Sequence, residues 1–246
     1  AVSAADGKER WRFQTQAPIH GAPTVAGDTV YVGSSDGNLY ALSRADGALR
    51  WQFGARGAIH AAPLVVSDTV YFGSLDGNVY ALNARTGALR WRYAADAEIE
   101  STPALQGERL YVGANDSQLH CLHRTSGRLL WQVSTGDAIY PQPLLAAGRL
   151  YVASASQVLY ALSPDSGEIL WRYDAGKYLN LAPAFDRGTL YLVAISDPQL
   201  YALQAATGKR LWSQDTGDWP STEPLIAGNR LFLGEKDGSV IAYALP

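Results

Sequence analysis

Methionine is absent from this 246-residue chain, and there is a single cysteine, Cys121. One thiol excludes an intrachain disulfide and a cysteine-based metal cluster. Charge is scarce as well: Asp, Glu, Lys and Arg make up 17% of the residues, the net charge is −3, and no basic run occurs. That balance argues against a nucleic-acid partner. No apolar stretch approaches the roughly 20 residues needed to span a bilayer. A positively charged start followed by an apolar run is also missing, and the first residue is Ala1. The expectation is therefore a processed protein or an excised domain. No phosphate loop, nucleophile–base pair or carboxylate pair can be argued. The Ser and Asp residues fall at turn positions, where their short side chains bond local backbone.

What the chain has is repetition. Tryptophans recur at Trp11, Trp51, Trp91, Trp131, Trp171 and Trp212, 40 or 41 residues apart. A period near 40 with β signals in every copy is the mark of a propeller built from four-stranded blades. The second copy shows the plan. A short inner strand follows Pro63, and Ser67-Asp68 turns the chain into the alternating strand Thr69 to Gly73. Asp76-Gly77 forms a hairpin turn into Asn78–Leu82, and Thr86-Gly87 turns into the outer strand through Trp91. The same reading holds from Pro23, Pro103, Pro143, Pro183 and Pro224. The expected fold is thus all-β, a closed six-bladed β-propeller with four antiparallel strands per blade, in one domain over residues 1–246. Blades end near Trp51, Trp91, Trp131, Trp171 and Trp212. The N-terminal strand through Trp11 is expected to complete the last blade, which removes exposed strand edges. Cys121 falls in the slot of Ala41, Ala81, Ala161, Ala202 and Ala242, so a small buried residue is expected there rather than a reactive thiol.

The spacing of Ala81, Thr86, Gly87 and Trp91, preceded by Asp76 to Leu82, resembles the tryptophan-docking motif of PQQ-like, quinoprotein-type propeller repeats. The resemblance covers the whole chain in six copies. It implies that the recurring tryptophans pack between neighbouring blades. Quinone-dependent members of that type are similar in blade motif but longer and eight-bladed, with a vicinal disulfide and a calcium site near the quinone. One cysteine, six repeats and no matching acidic cluster depart from that pattern, so PQQ and dehydrogenase activity are not expected. Other members by resemblance are binding surfaces: a lipoprotein of outer-membrane assembly, and sensor domains outside the membrane on bacterial serine/threonine kinases.

Comparing the six copies with one another separates what the fold needs from what is free to vary. Three residues before each recurring proline the copies read His20, His60, Glu100, Tyr140, Asn180 and Ser221. The residue before each stays apolar through Ile19, Ile59, Ile99, Ile139 and Leu179, then becomes Pro220. The family's topology places the variable slots around one mouth of the channel, on the same face as the variable hairpin tips. Loops on a rigid scaffold carry specificity, so this face is the candidate binding surface. Tyr140, Tyr178 and Trp219, with Lys177 among them, form an expected aromatic cluster suited to a sugar, an aromatic ligand or a protein. His20, His60 and Glu100 carry the donors of a divalent metal site, against which stands the plain reading of solvated rim groups. His120 replaces a recurring tyrosine and is expected to pack.

These readings converge on a non-catalytic module that binds a protein or small molecule on its variable face. It is expected to be extracytoplasmic and monomeric, with no resident cofactor. A kinase-attached sensor domain is the first expectation. The alternatives are an outer-membrane assembly scaffold, or a quinone- or metal-dependent enzyme working at the channel mouth.

Overall fold

The first repeat shows why these residues make strands. Val30, Tyr31 and Val32 are β-branched or aromatic and suit a pleated surface buried on both faces. They lie in β2 (Thr29–Gly33), between β1 (Thr24–Ala26) and β3 (Asn38–Ser43), with β4 (Leu49–Gly54) outermost. Across this blade Tyr31 pairs with Ala41 and Ala41 with Trp51. A small residue is needed between two large rings, and Cys121 meets the same demand between Tyr111 and Trp131. Burial of Cys121 pushes its thiol up to about 12, which leaves it little nucleophilic thiolate.

The computed structural model describes residues 1–195 and 197–245, all of them in strands, bridges, turns or irregular segments without a helix. Five four-stranded antiparallel sheets follow one another, at 24–54, 64–94, 104–134, 144–174 and 184–215. The sixth has three strands, β21 (Leu225–Ala227), β22 (Arg230–Gly234) and β23 (Val240–Ala244). These are the six blades of an all-β propeller.

The core lies between blades. A separate cluster of buried side chains joins each neighbouring pair from the first to the sixth. Three of these interfaces repeat the same contacts. Trp51 Nε1 donates to the Ala84 carbonyl at 3.0 Å, Trp91 to Arg124 at 2.9 Å and Trp171 to Ala205 at 3.1 Å. The tyrosine hydroxyls of Tyr31, Tyr71 and Tyr151 donate to those same three carbonyls. The indole lies flat against the glycine of that turn: a Cβ on Gly87 would come within 2.8 Å of Trp51. Glycine is thus required there twice, by a φ of +72° and by the approach of the ring. At Trp131 the corresponding turn carries Pro164, whose carbonyl accepts from Tyr111, and Trp131 Nε1 is left without a partner.

Closure through the N-terminal strand differs from expectation. Val2 bridges to Glu9, the pairing that Leu42 makes with Leu49 in the first blade, and the Ala1 amine donates to the Trp11 carbonyl. Residues 1–11 therefore form a hairpin of their own. Among the described residues β23 pairs with β22 and with no fourth strand. Trp11 rests on Gly47 of the first blade, as Trp51 rests on Gly87, and donates to the Arg44 carbonyl at 3.0 Å. The outward faces of the first and sixth blades stay open, with Val25 53% exposed and Val240 72% exposed.

Candidate functional site

The rim is built on the apolar anchors. Ile59, Ile99 and Ile139 are fully buried, each seated on the glycine that ends the second strand of the preceding blade. A Cβ on Gly33, Gly73 or Gly113 would come within 2.2–2.3 Å of the isoleucine Cγ2. Where that glycine becomes Ala153, the anchor becomes Leu179, whose Cβ is unbranched, and the two share one buried cluster. The anchor fixes the approach loop, and the next residue is carried onto the rim.

Hairpin tips and approach loops lie on the same face, tied by backbone bonds. Ser35, Leu75, Asn115 and Ala155 each donate to an approach-loop carbonyl at 2.9 Å, and Lys236 donates to Trp219 at 3.0 Å. The tip at Ser196 falls outside the described residues. A feature that turn chemistry alone did not reveal holds these tips closed. Asp36 accepts from Tyr40 at 2.8 Å and Asp76 from Tyr80 at 2.7 Å, and Asp197 accepts from Tyr201 in the same way. The signal was legible as Asp and Tyr four apart in repeated copies. Burial, then the Asp76 hydrogen bond, pushes Tyr80 up to about 12. Burial works to raise Asp76 too, but the Tyr80 hydroxyl and the Arg56 and Asn78 amides outweigh it and hold the carboxyl below its usual range. In the third blade His120 takes the tyrosine's part. It is buried, with Nε2 2.9 Å from Asp116 and Nδ1 3.2 Å from the Tyr93 hydroxyl, which is a packing role.

The rim residues divide into small groups. His20 and His60 meet edge to face with centroids 4.6 Å apart, and His60 Nε2 lies 3.2 Å from Ser35 Oγ. Glu100 accepts instead from Asn115 at 3.1 Å. Among the described residues no three His, Cys, Asp or Glu side chains gather as a metal site. Tyr140 lies beside Tyr178. Burial first, then Tyr140, then the charges of Asp137 and Glu100 raise the Tyr178 hydroxyl. Asn180 buries its Oδ1 without a partner, while Lys177 and Ser221 are exposed. Trp219 is separate from the tyrosines: no ring pair joins them among the described residues, and its face instead holds the Lys236 ammonium at 4.5 Å. Glu235 lies outside the ring slots, in the slot of Ser34, Ser74 and Ser154, and is buried with Oε1 unpartnered. Its signal is a charged residue in a slot that otherwise reads Ser, Ala or Ile.

Repeated blades with uniform interfaces and a varied rim define a PQQ-like repeat propeller. The chain belongs to the family described as outer membrane protein assembly factor BamB, whose model matches overlapping segments at residues 1–100, 57–140, 76–183 and 159–245. No curated protein matches it in sequence. Among solved structures it is similar to BamB from Moraxella catarrhalis, with a TM-score of 0.86 at 22% identity, over 97% of this chain and 77% of that one. The computationally designed Ika8 protein gives 0.85 at 18% identity, over 97% and 75%. Quinohemoprotein alcohol dehydrogenase ADHIIG from Pseudomonas putida HK5 gives 0.72 at 17%, over 91% and 48%. At these identities the structural likenesses speak for the fold alone.

Proposed function

We propose that the chain is a non-catalytic, extracytoplasmic scaffold of outer-membrane protein assembly, which docks a protein partner on the rim formed by its approach loops and hairpin tips. The observation that carries this reading is the division within each blade. Anchors and tips are held by the same bonds in copy after copy, while the adjoining side chains differ from His20 to Ser221. The family match, with its description as an assembly factor, favours this role over the kinase-attached sensor. The rim acids Asp36, Asp76 and Asp116 are engaged in closing their own hairpins.

The test is capture of envelope proteins by the wild-type chain and by a variant with Tyr140, Tyr178 and Trp219 changed to Ala. The expected result is a partner lost by the variant at an unchanged melting temperature. A partner held equally by both would move the docking face away from these residues.

A further inference from the structure

The two ends of the blades differ in charge. Loops of the rim face, between outer and inner strands and at the hairpin tips, carry eleven Asp and Glu against three Lys and Arg. Turns between named strands on the opposite face carry six of each. An excess this one-sided steers partners of the opposite sign. Several rim acids are occupied within their own hairpins, so the excess alone marks no site.

Glu235 marks one. In three other blades its slot holds a serine that donates to an approach-loop carbonyl: Ser34 to Ala17 at 3.1 Å, Ser74 to Gly57 at 3.0 Å and Ser154 to Asp137 at 3.1 Å. A carboxylate brings only acceptors to that place. The matching carbonyl is that of Asp218, identified by the Thr216 hydroxyl that donates to it as Thr15 does to Ala17. Glu235 is 6% exposed. Its Oε2 accepts from Ser239 at 3.1 Å, and its Oε1 has no donor. A buried carboxylate oxygen without a donor is costly. The loop above it is bonded on both sides, through Ser221 to the Gly234 carbonyl and through Lys236 to that of Trp219. That loop presents Trp219, 44% exposed, whose ring face holds the Lys236 ammonium. The protein thus uses one of its own cations on a surface suited to cations.

We infer that the rim of the sixth blade receives a lysine or arginine side chain from a basic, extended segment of a partner protein, with Trp219 stacking the cation and the cation giving Glu235 Oε1 the donor it lacks. This rests on the rim being the docking face and specifies the chemistry of what docks there. Asp218 and Asp237 in the loops of the same blade bring the segment in, and Lys236 leaves the ring when it arrives.

Titration of the whole chain with a short oligo-arginine peptide, followed by calorimetry and indole fluorescence, tests it. Binding that weakens as salt is added is expected, with oligo-glutamate failing to bind. Glu235→Ser, the residue three other blades carry, should keep the melting temperature and weaken binding about tenfold or more, as loss of a buried charge partner does. Trp219→Ala should also weaken it, whereas Lys236→Ala, by freeing the ring, should tighten it. No binding at low salt, or equal binding by wild type, Glu235→Ser and Trp219→Ala, would overturn the assignment. If oligo-arginine fails while the envelope partner is still lost on changing Tyr140, Tyr178 and Trp219, the rim remains the docking face and only the basic character of its partner falls.

Discussion

Between blades, a tryptophan, a tyrosine and a strand-end glycine of one blade meet a turn and a branched anchor of the next. At the two outer faces the same residue types stand without that complement. Ile59 is fully buried on Gly33, whereas Ile19 is 46% exposed. Trp91 is 8% exposed against Gly127, whereas Trp212 is 38% exposed. A side chain built on Gly7 would meet nothing within 4 Å, although at Gly47, Gly87, Gly127, Gly167 and Gly208 it would meet an indole. The contrast shows that blade identity is local while blade stability is shared. Each repeat contains half of two interfaces, and its large side chains contribute only where the other half is present.

The largest effects should therefore separate interior from end. Trp91→Ala should cost about 3–5 kcal/mol, a fall in melting temperature on the order of 10 °C, whereas Trp212→Ala should shift melting by less than about a third of that. Equal losses would mean that the sixth blade is as well supported as the third. Next comes the glycine–anchor pair. Gly73→Ala should destabilise by about 1–3 kcal/mol, because its Cβ would come within 2.2 Å of Ile99. Ile99→Leu added to it should restore much of the loss, since Ala153 and Leu179 are that combination in the native chain. A double mutant no better than the sum of its singles would refute the pairing.

A smaller effect concerns acid. The Asp76 carboxyl is held below its unfolded value, so its contribution is full above that value and is lost as pH falls through the lower, folded one. Asp76→Ser, which copies Ser156 of the fourth blade, should lower stability by about 1.5 kcal/mol near neutrality and flatten the acid limb of the stability curve. An unchanged acid limb would remove Asp76 from the account. Smallest of all, Cys121→Ala should change stability by less than about 1.5 kcal/mol, and native Cys121 should resist thiol reagents until the chain unfolds.

Much of this architecture was legible in the residues. Tryptophan spacing marked the blades, and glycines marked the turns on which the indoles lie. The three-stranded pairing of the sixth sheet was not legible, because the repeat pattern places residues 1–11 as the turn and fourth strand that would follow 240–245 whether or not the two pair. Only the Val2–Glu9 bridge shows that the N-terminal hairpin supplies its own partner. At the rim, variation among copies found His20, His60, Tyr140 and Tyr178, which do meet in pairs. It did not reveal that Glu100 turns to Asn115 or that Trp219 stands with Lys236, since those contacts depend on side-chain direction rather than on slot. Glu235 was missed because its slot serves the fold elsewhere, and its change of role shows only once its burial and missing donor are known.

Hydrogen exchange on the wild-type chain, with and without the captured partner, tests the docking face most directly. Slowed exchange should be confined to approach loops at 95–103, 135–143, 175–183 and 216–224 and to the adjacent hairpin tips. Protection concentrated instead at the turns 44–48, 84–88 and 124–128 would put recognition on the opposite face and contradict the account.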